Sequence, residues 1–251
     1  MTLLNKQTFV CIDCEATGLD PKKDRIIEVA AVRFTLGETL DSYETLIDPE
    51  CKIPPESTAI HNIQNAMVEG KPKIQDVLAK VLAFIGEGPI VGHSVGYDIE
   101  LLANSAKRHN IPHHLHTLPV LDTLRLARLY GESPSNSLEA LRKHFNIALE
   151  GAHRAMNDVI VNVQVFNHLS KKFKTTEAII QRLKSPIAIK LMPLGKHKGR
   201  PFNELPIEYL RWAQHQNFDE DLLFSIRSEL KKRKKGKGFT QSANPFNNLF
   251  L

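Results

Sequence analysis

The chain has 251 residues, 42% of them hydrophobic, which is enough for one large domain or for a domain followed by a small module. Its net charge of +5 is concentrated near the C-terminus, because residues 190–251 carry 12 Lys and Arg against 6 Asp and Glu while residues 1–189 are nearly balanced. The chain lacks an apolar run of roughly 20 residues and a signal-peptide pattern, which argues against a membrane-spanning or secreted protein, so we expect it in the cytoplasm.

The predicted elements change character along the chain. In the first 50 residues, apolar and β-branched runs separated by turn residues indicate an antiparallel meander of strands at 8–14, 26–34 and 42–47. A proline-rich loop follows at 48–58. Apolar spacing then predicts, in order, helix 74–86, strand 89–94, helix 97–109, strand 118–123, helix 137–145 and helix 154–172. This order indicates an α/β domain with a mixed sheet.

Two of the three cysteines, Cys11 and Cys14, have the C-x-x-C spacing of some redox and zinc sites. They lie inside a predicted strand, where this separation points the two thiols to opposite faces. The chain has no second cysteine pair to complete a zinc site, and three cysteines do not form a disulfide framework. We therefore interpret both as small buried strand residues.

The first predicted strand ends with two carboxylates, Asp13 and Glu15, which share one face because they are two residues apart. Burying ionised carboxylates costs several kcal/mol unless something compensates, and the strand offers no Lys or Arg. Mg²⁺ or Mn²⁺ would compensate, since hard cations prefer carboxylate oxygens. The alternative is that both residues lie at the solvated end of the strand.

Two further acidic residues strengthen the metal interpretation. Asp98 begins a predicted helix just after a short strand, and Asp158 lies among apolar residues of the long helix. Four carboxylates could converge on two metal ions that act on the attacking water and the leaving oxygen of a phosphodiester. His153 can address the same site only if it precedes the helix proper, which Gly151 permits, and there it could be a general base.

These residues occur in ordered motifs: DCEATG at 13–18 with RIIE at 25–28, GHSVGYD at 92–98 and AHRAMND at 152–158. Over residues 8–172 the chain resembles DnaQ-like 3′→5′ exonucleases of the DEDDh type, the family of the epsilon proofreading subunit. The resemblance implies a ribonuclease H-like mixed sheet flanked by helices. It also implies His153 as general base and two Mg²⁺ or Mn²⁺ ions on the four carboxylates Asp13, Glu15, Asp98 and Asp158.

The same resemblance implies a substrate cleft. Thr17 and Gly18 would line the 3′-terminal nucleotide with their backbone N–H groups facing it, and His61 matches the cleft histidine segment. The chain departs from the usual motifs at Ala16, Asn62 and Ser94. None of these departures removes a catalytic-type group, so they bear on the fine contacts to the nucleotide.

Residues 190–235 resemble the small module that follows the nuclease in exodeoxyribonuclease X-like proteins. Basic residues Lys196, Lys198 and Arg200 precede Tyr209 and Trp212, a pattern that predicts strand binding, with cations on phosphates and rings on bases. The alternative is that the rings form the core of the module and only the loop is a surface.

The sequence thus divides into an exonuclease domain (1–174), a linker (175–189), the module (190–235) and a flexible tail (236–251). The lysine-rich run at 231–237 would continue the last helix or extend from it as a solvated charge run, and would attract phosphate. The last residues, among them Phe246, Leu249 and Phe250, would either pack back onto the protein or dock on a sliding clamp or polymerase.

From these features we expect a metal-dependent 3′→5′ exonuclease acting on single-stranded or frayed 3′ ends, with DNA favoured, in replication proofreading or repair. An enzyme that trims RNA 3′ ends is an alternative, because contacts to the 2′-OH cannot be read from one sequence. A non-catalytic nucleic-acid-binding protein on the same fold is the other alternative, although the intact set of five catalytic-type residues argues against it.

Overall fold

The computed structural model describes residues 2–133, 135–148 and 154–241, with side chains of the last helix described up to Lys234. The chain forms two units, Met1–Lys184 and Ser185–Leu251. The boundary lies within the stretch 175–189 that the sequence predicts as a linker. None of the helices in the described ranges is long and apolar enough to cross a membrane.

The first unit contains a five-stranded sheet with helices. Its strands are β1 (Phe9–Ala16), β2 (Ile26–Phe34), β3 (Thr39–Leu46), β4 (Ile90–Gly92) and β5 (Val120–Asp122). Its helices are α1 (Pro55–His61), α2 (Asn65–Val68), α3 (Ile74–Ile85), α4 (Gly96–Arg108), α5 (Thr123–Tyr130), α6 (Leu138–His144), α7 (Ala155–Ser170) and α8 (Thr176–Leu183).

The strand order is β3-β2-β1-β4-β5. The first three strands are antiparallel, and β4 and β5 join them in parallel pairings, so the predicted mixed sheet is confirmed. Helix α1 starts inside the predicted proline-rich loop, because a proline at the first helical position loses no hydrogen bond there. Helix α8 occupies part of the predicted linker and buries Ile179.

Alternating side chains of β1 face two different layers. Val10, Ile12 and Cys14 belong to the core that includes buried residues of α3 and α4. On the opposite face, Phe9 packs against Phe34 of β2 and Phe166 of α7, with ring centroids 5.4 Å and 5.1 Å away. Helix α7 therefore lies over the face of β1 that also carries residues 11, 13 and 15.

The second unit contains α9 (Ile207–Ala213) and α10 (Glu220–Gln241). Its small core is formed by buried apolar residues, including Met192, Phe202, Leu210, Leu222 and Ile226. Helix α10 extends through residues 236–241, where the sequence predicts the start of a flexible tail. The remaining residues of that tail lie outside the described part of the chain.

Candidate active site

Three carboxylates from two elements meet at the end of β1. Asp13 and Glu15 come from β1 and Asp158 comes from the first turn of α7. One carboxylate oxygen of each residue lies within 4.8 Å of the other two. We call these three residues the carboxylate cluster. The structure thus brings together three of the four acidic residues that the sequence singles out.

The cluster follows from how α7 sits on β1. The Cys11 thiol lies 3.8 Å from the carbonyl oxygen of Val159 and is directed to donate a weak hydrogen bond to it. Since Cys11 is two residues before Asp13 and Val159 follows Asp158, this contact holds the two acidic positions side by side. Cys14 lies in the core on the other face of the strand, as the alternation predicts for this cysteine pair.

The fourth predicted ligand, Asp98, lies outside the carboxylate cluster. It is buried at the start of α4, and its Oδ1 accepts a hydrogen bond of 2.8 Å from the backbone N–H of Cys14. Asp98 is therefore hydrogen-bonded to the backbone of β1 at Cys14, the residue between Asp13 and Glu15. Its charge still acts on them, because it is the largest electrostatic contribution raising the pKa of Asp13.

The electrostatics of the site favour added positive charge. Burial, followed by repulsion from Asp98, Glu15 and Asp158, holds the pKa of Asp13 well above its ordinary value. Burial and repulsion from Asp158 raise the pKa of Glu15 to about 8. Burial raises the pKa of Asp98 to about 7, against the Cys14 hydrogen bond that lowers it. Either protons or a cation would relieve this repulsion.

An ion pair between a buried glutamate and a partly exposed arginine fixes the beginning of α7. Glu28 of β2 is fully buried opposite Glu15, and its Oε1 accepts a hydrogen bond of 2.6 Å from Nη2 of Arg154. Its Oε2 accepts a second bond of 3.0 Å from the backbone N–H of Ala155. Sequence analysis assigned no role to either side chain, although a Glu within the apolar run IIEVAAV was the available signal.

The predicted general base, His153, lies outside the described residues, and so does Gly151. The described chain resumes at the very next residue, Arg154, whose side chain Glu28 holds. The role of His153 stays a prediction.

The turn after β1 is held by a polar network. The Thr17 hydroxyl donates to Asp24 at 2.9 Å and accepts from the N–H of Arg25 at 3.0 Å. The Ser57 hydroxyl donates to the Thr17 carbonyl at 2.8 Å, and the Tyr97 hydroxyl donates to the Gly18 carbonyl. This turn is therefore fixed from three sides.

One expectation for this turn needs correction. The N–H of Thr17 donates to the carbonyl of Arg25 at 2.9 Å, so it does not face a ligand. Of the two residues, Thr17 and Gly18, Gly18 is the one whose N–H has no acceptor within the described part of the chain. A Cβ on Gly18 would lie 2.6 Å from Oδ2 of Asp24, so this position excludes any larger residue unless Asp24 moves.

His61 ends α1 and is buried. Its Nδ1 accepts a hydrogen bond of 3.0 Å from the N–H of Ile63, which places the proton of the neutral ring on Nε2. Burial lowers the pKa of His61, while nearby Glu28 raises it. The neutral ring thus lies beside the same glutamate that anchors α7.

Asp122 is a structural residue that sequence reasoning missed. It caps α5, because its Oδ1 accepts from the N–H of Leu124 at 2.8 Å and also from the N–H of Ser94 at 3.1 Å. Ser94 has a positive φ of 61° in the turn that leads to Asp98. The Asp122 side chain thus joins the turn before α4 to the start of α5, and its position directly before a helical run was the available signal.

In the second unit, Lys196, Lys198 and Arg200 are all exposed. An aromatic patch lies next to them: the Tyr209 ring is 4.4 Å from His197 and 5.4 Å from Trp212, between centroids. Lys196 Nζ lies 5.7 Å from the centre of the Tyr209 ring. Leu210 is in the core, but Trp212 is 54% exposed. The alternative that the rings only form the core of the module therefore does not hold for Trp212.

Comparisons with known proteins match the two parts of the chain to two different families. The sequence model of the exonuclease family RNase_T matches residues 10–166, a range that contains the carboxylate cluster. A second family, named for a quorum-sensing-regulated virulence factor, matches residues 181–226.

Curated relatives match the first unit. DNA polymerase III subunit epsilon of Aquifex aeolicus is 36% identical over 160 residues, which cover 63% of this chain and 78% of that protein. The PolC-type DNA polymerase III of Clostridium perfringens is 34% identical over 195 residues, which cover 74% of this chain. The match spans only 13% of that polymerase.

Solved structures show the same fold. An exonuclease X in complex with 5′ overhanging duplex DNA has a TM-score of 0.54 and 26% identity, and the match covers 69% of this chain and 98% of that chain. E. coli exonuclease I in complex with a dA16 oligonucleotide has a TM-score of 0.59 over 70% of this chain and 43% of its own. At 21% identity this second likeness shows the fold alone.

Proposed function

Since the chain belongs to the RNase_T exonuclease family, we propose that it is a metal-dependent 3′→5′ exonuclease that hydrolyses phosphodiester bonds at the 3′ end of DNA. The observation that carries the proposal is the carboxylate cluster, which joins β1 and α7 within the matched range. Two relatives favour DNA and a role in proofreading or repair: one is named as a subunit of DNA polymerase III, and an exonuclease X was solved with duplex DNA.

The donor set fits a divalent cation. Three carboxylate oxygens lie within 4.8 Å of one another, and their repulsion and burial already raise the pKa values of Asp13 and Glu15. Oxygen-only donors suit Mg²⁺ or Mn²⁺. Asp13, Glu15 and Asp158 would hold the metal, with Asp98 completing the set for two ions. When bound, the metal supplies Lewis-acid stabilisation of the charge that develops on the scissile phosphate.

The protein's own groups would then position the substrate and move the proton. We propose His153 as the general base that removes a proton from the attacking water. Glu28 fixes Arg154, and so fixes the chain directly after His153. Gly18 offers its backbone N–H to the 3′-terminal nucleotide from a turn that Ser57 and Tyr97 hold in place. The buried His61 would support the wall of the cleft beside Glu28.

The second unit would add contacts to the strand. Lys196, Lys198 and Arg200 are exposed cations for phosphates, and the exposed Trp212 ring offers a surface for an unpaired base. Such contacts would lengthen the time that the enzyme stays on single-stranded or frayed 3′ ends.

A sliding clamp or polymerase remains the proposed protein partner, through Phe246, Leu249 and Phe250, which lie outside the described residues. A synthetic peptide of residues 241–251 should bind the clamp, and the double change Leu249→Ala with Phe250→Ala should abolish binding. No binding at a peptide concentration of about 1 mM would contradict this docking, because even an interaction of about −4 kcal/mol registers there.

The test of the main proposal uses matched 3′-labelled and 5′-labelled oligonucleotides of DNA and RNA, each with Mg²⁺, Mn²⁺ or a chelator. We expect labelled mononucleotides from the 3′-labelled DNA, and a ladder of shortened products from the 5′-labelled DNA. The chelator should stop both. Faster release from RNA would favour the trimming enzyme, whereas no product with either metal would favour the non-catalytic alternative.

A further inference from the structure

A groove of about 570 Å³ lies between the last two helices of the second unit. Its lining includes Arg211 of α9, His215 of the turn after α9, and Arg227, Lys231 and Lys234 of α10. We call this feature the basic groove. The family resemblance and the basic loop at 195–200 do not account for it, although Lys231 and Lys234 belong to the lysine-rich run at 231–237.

Three cations of the basic groove are uncompensated. Arg227, Lys231 and Lys234 are exposed, and no acidic side chain pairs with them within the described ranges. The other arginines are engaged: Arg211 pairs with Glu208 at 2.9 Å, and Arg233 pairs with Glu229 at 2.7 Å. Arg233 also donates to carbonyls of the loop before α9, which gives it a structural role.

The free cations form a row. Positions 227, 231 and 234 are four and three residues apart, so they share one face of α10 and span roughly 10 Å along its axis. Such a row, lining one side of a groove, matches an extended chain of negative charges better than it matches a single anion.

The basic groove is separate from the aromatic patch. Ile207 and Arg211 of α9 line the groove together with Gln214 and His215, which follow the helix. At about 100° per residue, Tyr209 lies about 160° and Trp212 about 100–140° around the helix from Ile207 and Arg211, and neither ring lines the groove. Leu210 and Ala213 occupy the buried face between them. Helix α9 thus presents the half-buried Tyr209 and the exposed Trp212 on one side and the groove on the other.

We propose that the basic groove binds the sugar–phosphate backbone of a nucleic acid strand, at a site separate from the 195–200 loop and its aromatic patch. The choice of nucleic acid over another polyanion rests on the proposed function and on the ring surface of the same helix, which suits unpaired bases. Backbone contacts of this kind carry no sequence preference and weaken with salt.

The test measures binding without cleavage. The full chain in chelator is titrated against a fluorescein-labelled 20-nucleotide single strand of DNA by fluorescence anisotropy, over a series of salt concentrations. The variant Arg227→Gln with Lys231→Gln and Lys234→Gln should bind at least about tenfold more weakly at low salt. Its log affinity should also fall less steeply with log salt, by about 2 in slope, since each single-strand phosphate contact contributes about 0.7.

Lys232 provides the matched control. It is an exposed lysine of the same helix, next to Lys231, and it does not line the groove. Lys232→Gln should leave affinity and salt slope near those of the wild type, whereas Lys231→Gln alone should reduce both. This pair of single variants decides the question even if the triple variant unfolds.

Three results would overturn the proposal: a triple variant with the wild-type salt slope, equal effects of Lys231→Gln and Lys232→Gln, or competition by polyglutamate as effective as unlabelled oligonucleotide per charge. A different result would contradict the proposed nuclease activity, namely the absence of nucleotide release with Mg²⁺ or Mn²⁺. Groove-dependent binding without any cleavage would therefore refute the nuclease alone.

Discussion

Arg154 donates hydrogen bonds to the carboxylate of Glu28 from two nitrogens: Nε lies 3.1 Å from Oε1 and 3.2 Å from Oε2, and Nη2 lies 2.6 Å from Oε1. The glutamate belongs to β2 and is fully buried, while the arginine immediately precedes α7. The pair therefore joins the sheet to the chain between His153 and Asp158. It anchors the first turn of α7, which carries Asp158, without being part of the carboxylate cluster.

Glu28→Gln should destabilise the protein and reduce its cleavage rate together. Removing one partner of a fully buried ion pair costs about 3–5 kcal/mol, but Arg154 is 37% exposed and can regain water, so we expect about 1–3 kcal/mol. Urea unfolding measures the first effect and single-turnover cleavage the second. Glu38→Gln, at an exposed turn position, is the control. Equal unfolding midpoints and rates in the two variants would contradict the positioning role.

Asp13→Asn and Asp158→Asn should each abolish cleavage, because each removes a charged oxygen from the cluster. The fold should survive, since losing one charge relieves the repulsion that raises the pKa of Asp13. Cleavage of labelled DNA and thermal unfolding in chelator check both expectations. Asp41→Asn, an exposed carboxylate of β3, should cleave normally. Near-normal rates with saturating Mg²⁺ in both cluster variants would eliminate the proposed metal ligands.

The metal-free protein should lose stability as the pH rises. The pKa of Glu15 is raised to about 8 and that of Asp98 to about 7, so the folded chain keeps protons that the unfolded chain releases near pH 4–5. The free energy of unfolding should therefore fall between about pH 5 and pH 8 in chelator. Adding Mg²⁺ should restore it at pH 8. Glu15→Gln should flatten the profile, and a flat wild-type profile would contradict these pKa directions.

His153→Ala should lower the cleavage rate by about 10²–10⁴-fold, the usual effect of losing a general base. Metal binding should stay nearly intact, because the proposed ligands are carboxylates. Isothermal titration calorimetry with Mn²⁺ checks this. Loss of a metal site in the variant would show that His153 is a ligand and would remove it as the base.

A chain that ends at Lys184 should fold and cleave DNA with weaker substrate binding. The boundary between the two units lies after this residue, and each unit has its own core. The loss of affinity should shrink at high salt, because most of the removed contacts are electrostatic. A truncated protein that fails to fold would show that the first unit depends on the second.

The sequence predicts the sheet well, because apolar and β-branched runs separated by turn residues mark its first strands. The two-residue repeat of a strand also places Asp13 and Glu15 on one face of β1. It does not show what covers that face, and the contact between Cys11 and Val159 spans 148 residues of sequence. Local pattern likewise cannot show that Asp98 turns to the Cys14 backbone, or that Asp122 reaches the N–H of Ser94. These bonds exist only once the tertiary fold has formed.

The same limit explains the helices that the sequence analysis missed. Residues 55–61 contain a proline and polar residues, so their composition favours a loop. In the fold, Ser57 bonds to Thr17 and His61 is buried, and these tertiary contacts select the helix. In the second unit, the sequence places Trp212 near basic residues, but it cannot show that about half of this side chain is exposed to solvent.

Cys11 has a consequence for the dimensions of the site. It is fully buried between β1 and α7, two residues before Asp13, and its thiol touches the carbonyl that follows Asp158. The size of this one side chain therefore acts as a spacer that sets how far the helix stands from the strand. A bulkier residue would push α7 outward and widen the gap between Asp13 and Asp158, whereas a smaller one would let the two carboxylates approach. The width of the site thus depends on a buried contact between a thiol and a backbone carbonyl.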